Sequence, residues 1–268
     1  MKIGVIGIGV VGGAMFKSLQ EKCQNSPITV VGYDKYKNIG SFEEVSKADI
    51  VLLSLPTLYS KEMNSYDKTA IHEVCEKLSQ AKYTGLVVVK STVEPGTSQE
   101  IADKYGLSVV HNPEFLSAVS AYEDFHNQEH IVIGSTKQVK QSHVNNLTNF
   151  YKSFYPGAEY TTCTSTESEM IKIFCNNFYS VKVQFFNEMY VLSQRLGTDY
   201  NLIRDSMLKN KWINPKHTDV PGPDGKLSYG GMCFPKDTNA LLSFMKKVGS
   251  PHAVLDATVT ERNSMRDD

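Results

Sequence analysis

The run Tyr229-Gly230-Gly231-Met232-Cys233-Phe234-Pro235-Lys236-Asp237 places one cysteine behind two glycines and four residues ahead of an aspartate. A thiolate can attack an aldehyde carbon and hold it covalently. The glycines let the backbone approach a substrate that a side chain would keep away, and the acid can hold a water or hydroxyl. Lys236 and a helix opening near Asp237 favour the thiolate over the thiol. The ordinary alternative is a buried structural cysteine, which needs neither the glycines before it nor the Pro-Lys-Asp after it. With the nucleotide fingerprint described next, the thiol points to an oxidoreductase that takes a carbon past the aldehyde to an acid.

That fingerprint is Gly7-Ile8-Gly9-Val10-Val11-Gly12, placed after an expected strand and opening an expected helix. Gly7 permits the tight turn, Gly9 lets a pyrophosphate approach the backbone, and Gly12 lets the helix pack on the strand. Phosphates are then met by the helix N-terminus, whose unpaired N–H groups and dipole favour anions. Asp34 ends the next strand, about 20 residues on, where the acid that holds the adenosine ribose belongs. A carboxylate there repels a 2′-phosphate, so NAD is expected rather than NADP; Lys35 works slightly against that preference. Leu55-Pro56-Thr57 and Ser91-Thr92-Val93 carry hydroxyls at the carboxyl ends of two further strands and could line the nicotinamide half. Without the fingerprint they would read as ordinary turns.

Lys172 and Asn176 stand four apart on an expected helix and share one face, the lysine to stabilise an oxyanion and the amide to hold a water or hydroxyl beside it. Elsewhere on that helix, Lys182 reads as solvated. In His111-Asn112-Pro113-Glu114-Phe115-Leu116, Glu114 could activate a hydrolytic water; a surface acid in a loop is the plainer alternative. His126 and His130 have HxxxH spacing, but His130 opens a strand, so no metal site is expected.

Positioning these residues requires strands over 2–6, 28–33, 49–55, 86–90, 107–111 and 130–134. Helices are expected over 11–21, 66–78, 98–105 and 138–151. The alternation predicts a doubly wound parallel sheet of the Rossmann type. Tyr155-Pro156-Gly157 reads as the boundary between an NAD-binding domain, 1–156, and an all-helical domain, 157–268, in which strand character ends. Thr166 and Glu169 fit a capping box for a long helix running to Gly197, with further helices over 200–208, 237–247 and 252–263. Pro-, Gly- and Asp-rich residues 216–229 read as an ordered loop leading to the cysteine.

The 268 residues carry a net charge of −1, with no basic block for nucleic acid and no basic amphipathic helix for a membrane surface. Five cysteines without a CxxC argue against a disulfide framework and against structural zinc. Met1-Lys2 leads directly into a strand rather than a signal peptide. The cytoplasm is the expected compartment.

The segments GIGVVG, KSTVEPGT, NPEFL, ESEMIKIFCNNFYSVKVQFFNE and PGPDGKLSYGGMCFPKDTNALL resemble, in order, those of the UDP-glucose 6-dehydrogenase family, a branch of the UDP-glucose/GDP-mannose dehydrogenases. The resemblance implies two-step oxidation of UDP-glucose at C6 to UDP-glucuronate, with two hydrides passing to NAD. It casts Cys233 as the nucleophile of a thiohemiacetal and thioester. Lys172 and Asn176 become the oxyanion-stabilising pair, Asp237 the residue that positions water, Glu114 the acid of thioester hydrolysis and Thr92 an active-site threonine. Glu114, Phe115, Leu116, Lys172, Asn176, Tyr229, Gly230, Gly231, Cys233 and Phe234 would face the sugar nucleotide, and Lys236 the cofactor. The long helix implies a homodimer.

Two departures stand out. Ala118 and Val119 lie where the family has a second glutamate and a glycine. The chain also ends at Asp268, the expectation being a short form without the C-terminal UDP-binding domain. A β-hydroxyacid-type dehydrogenase using the Lys/Asn pair and a catalytically silent NAD-binding subunit remain the alternatives.

Overall fold

The computed structural model describes residues 1–268. In chain order its strands are β1 (Lys2–Ile6), β2 (Thr29–Tyr33), β3 (Ile50–Leu53), β4 (Tyr59–Ser60), β5 (Ser65–Tyr66), β6 (Leu86–Val89), β7 (Ser108–His111), β8 (His130–Ser135) and β9 (Glu159–Thr164). The helices are α1 (Val10–Cys23), α2 (Phe42–Val45), α3 (Thr69–Gln80), α4 (Thr97–Tyr105), α5 (Ala121–His126), α6 (Gln141–Phe154), α7 (Ser165–Arg195), α8 (Tyr200–Leu208), α9 (Phe234–Lys247) and α10 (Ala253–Met265). They form two compact units, one of residues 1–58 and 66–172, the other of residues 59–65 and 173–268.

The first unit is built on a seven-stranded sheet of order β2-β1-β3-β6-β7-β8-β9. Its central strands bury both faces, as near-continuous apolar runs require. Alternate residues go to opposite sides. Ile3, Val5, Ile50, Leu52, Leu86, Val88 and Val110 pack with Met15 and Leu19 of α1 and Leu147 and Phe150 of α6. Ile6, Val51, Leu53, Val87, Val89 and Val109 pack with Ile71, Cys75 and Leu78 of α3 and Ile101 of α4. Each such aliphatic side chain contributes about 1.5–3 kcal/mol by leaving water. β2 and β3 flank β1 on opposite sides. The order therefore reverses at the carboxyl end of β1, where ligands bind in open α/β sheets.

Three expectations are corrected. Strand character does not end at 156, because β9 pairs in parallel with β8 and completes the sheet. The sheet is not wholly parallel, since β8 runs antiparallel to β7. The capping box of α7 lies two residues earlier than expected. Glu167 Oε2 accepts Thr164 N at 2.8 Å and Thr164 Oγ1 accepts Glu167 N at 3.3 Å, which leaves Glu169 for another role.

The second unit packs Phe186 of α7, Tyr200 of α8 and Val220 with Met189, Tyr190 and Leu227. The long loop between α8 and α9 is ordered by buried polar groups. Tyr200 OH donates to Thr218 O at 2.7 Å, Ser228 N to Asn187 Oδ1 at 2.7 Å and Ser228 Oγ to Gln184 Oε1 at 2.5 Å. Lys182, expected to be solvated, donates to the carbonyls of Asn214 and Lys216. No helix is long and apolar enough to cross a membrane.

Candidate active site

The first unit carries the cofactor turn. Gly7 has φ +89°, and a Cβ there would lie 2.3 Å from Ser54 O. A Cβ on Gly12 would lie 1.8 Å from Gly7 O, so α1 starts against the turn only because that side chain is missing. A Cβ on Gly9 meets nothing within 4 Å, which leaves open space at the start of α1. No side chain caps that helix and its first turn has no acid, so the N–H groups there can meet a phosphate.

Asp34 Oδ2 accepts Ile8 N at 2.8 Å, and Oδ1 accepts Tyr36 N at 2.9 Å and Lys37 N at 3.0 Å. Burial opposes its charge, but the three backbone donors and the Lys37 ammonium hold its carboxyl below the ordinary value. A carboxylate has about four acceptor sites, so capacity remains for a ribose hydroxyl. These residues fit a dinucleotide. Lys35 pairs with Glu73 at 3.3 Å. The cation at the turn is Lys37, whose Nζ donates to Ile8 O at 2.6 Å; a lysine three residues past the acid was its only sequence signal.

The two strand ends are hydrogen-bonded to each other. Ser91 Oγ donates to Leu55 O at 2.7 Å and accepts Leu55 N at 2.9 Å, while Thr57 Oγ1 donates to Thr92 O at 2.7 Å. Pro56 separates the two anchored residues.

Glu114 and Lys172 form a largely buried ion pair at 3.2 Å. Glu114 Oε2 also accepts Leu116 N at 2.7 Å. The Lys172 ammonium lies 5.5 Å from the centre of the Phe115 ring, which stacks on His130 at 5.6 Å. His126 has Ser18 Oγ at 3.1 Å and His130 has Thr161 Oγ1 at 3.0 Å, so the HxxxH pair serves two separate hydrogen bonds.

Glu169, one turn before Lys172, accepts Gly96 N at 2.6 Å and Ser98 N at 2.7 Å. It thereby closes the start of α4 and ties the segment after Thr92 to α7. Burial pushes its carboxyl up to about 7 against the pull of those donors.

The second unit carries the thiol. Cys233 is exposed and caps α9, with Phe234 and Pro235 opening the helix. Its carbonyl accepts Asp237 N at 3.0 Å. A negative charge on sulfur would stand where the helix is electropositive. Asp237 is fully buried. Its Oδ2 accepts Asn176 Nδ2 at 2.6 Å and its Oδ1 accepts Lys236 Nζ at 2.5 Å.

The glycines ahead of the thiol differ in role. Gly231 has φ +77° and nothing near a built Cβ, whereas a Cβ on Gly230 would lie 2.3 Å from the Arg266 guanidinium. Arg266 Nη1 donates to Ser228 O at 3.3 Å, and Arg262 Nε to Tyr229 O at 3.2 Å. Phe234 packs near Tyr179 and His217, with ring centres 6.4 and 5.6 Å away. Arg262, Arg266, Tyr179 and His217 escaped sequence reasoning because nothing local marks them.

The sequence model described as "UDP-glucose/GDP-mannose dehydrogenase family, NAD binding domain" matches residues 30–155, and that family's central-domain model matches residues 166–264. This chain belongs to the UDP-glucose/GDP-mannose dehydrogenase family. It is 32% identical over 233 residues to UDP-glucose 6-dehydrogenase TuaD of Bacillus subtilis, covering 83% of this chain and 48% of TuaD. It is 29% identical over 301 aligned positions to UDP-glucose 6-dehydrogenase of Campylobacter jejuni, covering 99% of this chain and 72% of that protein. The solved UDP-glucose dehydrogenase of Pyrobaculum islandicum superposes with a TM-score of 0.84 at 27% identity, over 98% of this chain and 68% of that one. The chain thus spans about half the length of TuaD. In this member of the family, the glycine turn lies just ahead of the stretch matched as NAD-binding, and Cys233, Asn176 and Asp237 lie within the stretch matched as the central domain.

Proposed function

We propose that this chain oxidises the C6 hydroxyl of UDP-glucose to the carboxylate of UDP-glucuronate, with NAD as oxidant. The observation that carries the reading is Cys233, an exposed thiol at a helix N-cap one turn ahead of a buried Asp237 held by Asn176 and Lys236. Family membership and relatives named UDP-glucose 6-dehydrogenase support the substrate class.

The glycine turn and Asp34 hold the dinucleotide, and the hydroxyls of Thr57, Ser91 and Thr92 line its nicotinamide half. NAD, when bound, accepts one hydride in each of two oxidations. Lys172 and Asn176 stabilise negative charge on the C6 oxygen as its proton passes to the water positioned by Asp237. Cys233 adds through sulfur to the aldehyde carbon, giving a thiohemiacetal, and loss of the second hydride leaves a thioester. Asp237 positions water and Glu114 takes its proton as it adds. Collapse of the adduct expels the Cys233 thiolate and releases the acid. Phe115, Leu116, Tyr229, Gly230, Gly231 and Phe234 complete the sugar-nucleotide contacts, and Lys236 serves the cofactor as well as Asp237.

The working form is a homodimer through α7. Phe174, Phe178, Phe185 and Leu192 stand exposed along it and Leu196 just past its end, spaced for one stripe and large for a surface facing water. Five cysteines, none of them in a disulfide, accord with the reducing cytoplasm.

The test is NADH formation by this chain with UDP-glucose, followed to completion. Two NADH per sugar, lost in Cys233→Ser, is expected. Full alcohol-to-acid turnover by Cys233→Ala would overturn the thioester route. NAD binding without turnover on any sugar nucleotide would identify a silent cofactor-binding subunit instead.

A further inference from the structure

Lys90 directly follows β6, and its side chain is among the largest fully buried ones in the chain, 2% exposed. A buried ammonium is costly unless hydrogen-bonded and balanced by charge. A methionine of similar length would fill the space without that penalty, so the charge needs a reason. Nζ donates to Asn112 Oδ1 at 2.8 Å and to Pro113 O at 3.3 Å. Asn112 is locked in turn, with its Nδ2 on Val132 O at 2.6 Å and Tyr151 OH on its Oδ1 at 2.6 Å. These bonds anchor the two residues immediately before Glu114, the partner of Lys172.

We propose that Lys90 is a positioning residue for the reaction, its buried ammonium fixing the Asn112–Glu114 loop and adding a positive charge beside the neutral Glu114–Lys172 pair. This rests on the function proposed above. Burial brings Lys90 down to about 7, with Glu114 opposing that shift and Lys172 adding to it. His111 of β7, driven to about 3 by burial with help from Lys90 and Lys172, adds no positive charge near neutrality. Tyr151 of α6 keeps its proton, burial holding its phenol far above the ordinary range. The remaining neighbour named by geometry is the Phe125 ring of α5, 5.9 Å from Nζ. Near neutral pH the cluster of Lys90, Lys172 and Glu114 therefore changes from net +1 to neutral as Lys90 loses its proton. The support for negative charge on a substrate oxygen weakens with it.

Two measurements on the chain test this. The first is an NMR titration of the Lys90 ammonium in 15N-lysine-labelled protein, which needs no turnover. A midpoint near neutrality is expected, falling in Glu114→Gln and rising in Lys172→Met. The second is turnover with UDP-glucose across pH. Lys90→Met is expected to lower kcat roughly 10- to 100-fold with little change in KM, and to remove the alkaline limb of the profile. Thermal unfolding reports whether the variant folds; if it does not, Lys90→Arg takes its place, keeping the charge at every pH, so that activity is retained and the alkaline limb disappears. A Lys90 midpoint indifferent to both partners, or a folded Lys90→Met with wild-type kcat and profile, overturns the proposal. Absence of turnover in the unaltered chain sinks the proposed function instead, and the titration still decides the coupling.

Discussion

Asn176 donates its side-chain amide to Asp237 Oδ2 at 2.6 Å, with both side chains withdrawn from water. The carboxylate needs that bond, because burial leaves water no chance to replace it. Asn176→Leu should cost about 1.5–3 kcal/mol, or roughly 2–4 °C of Tm per kcal/mol for a chain of this size. Turnover should fall further than stability. Asp237→Asn turns a donor toward Asn176 Nδ2 or Lys236 Nζ and should cost about 1–3 kcal/mol, with turnover falling further than that loss explains. Thermal unfolding alongside NADH formation checks both.

The cofactor turn offers a contrast between two glycines. Gly9→Ala should fold normally, since φ is −74° and the new methyl enters open space. That space is where the pyrophosphate belongs, so NAD affinity should drop roughly tenfold or more, about 1.4 kcal/mol per decade. Gly12→Ala forces a methyl onto Gly7 O and should cost about 1–3 kcal/mol of stability as α1 is pushed off the turn. Calorimetric titration with NAD and thermal unfolding distinguish the two.

Glu169 gives a pH signature. Its carboxyl stands at about 7 against an ordinary 4.5, so the folded chain holds the proton more tightly than the unfolded one. The associated stability is present below the ordinary value and is lost as pH rises through about 7. Denaturant unfolding of the native chain should show this fall, and Glu169→Gln should flatten it. The amide also turns a donor toward Gly96 N or Ser98 N, costing about 1–3 kcal/mol at every pH.

The apolar stripe on α7 predicts the assembly. Phe178 is 64% exposed and Phe185 47%. Sedimentation should find the native chain dimeric and Phe178→Asp with Phe185→Asp monomeric, with an unchanged circular dichroism spectrum. A monomeric native chain at micromolar concentration would remove the homodimer from the proposed function.

The parallel strands were readable because apolar runs such as Ile50–Leu53 bury both faces and stop at turn residues. β9 escaped because Glu-Tyr-Thr-Thr-Cys-Thr has few aliphatic residues and lies half exposed at the sheet edge. The capping box was misplaced because Thr164-x-x-Glu167 and Thr166-x-x-Glu169 satisfy the same pattern. Only the strand end decided between them. Cys233, Lys172, Asn176 and Glu114 were legible from residue type, spacing and family resemblance. Lys90 and Glu169 were not, because their importance comes from burial among residues distant in sequence.

The hold of Arg262 and Arg266 on the carbonyls of Tyr229 and Ser228 bears on the order in which the protein matures. Chains fold from the N-terminus as they leave the ribosome, so the sheet can assemble while the end of α10 is still being translated. The turn that presents Cys233 lacks its guanidinium braces until the codons of Arg262 and Arg266 are read. The Cys233 sulfur thus receives its setting late, after the nucleotide-binding half has had time to form.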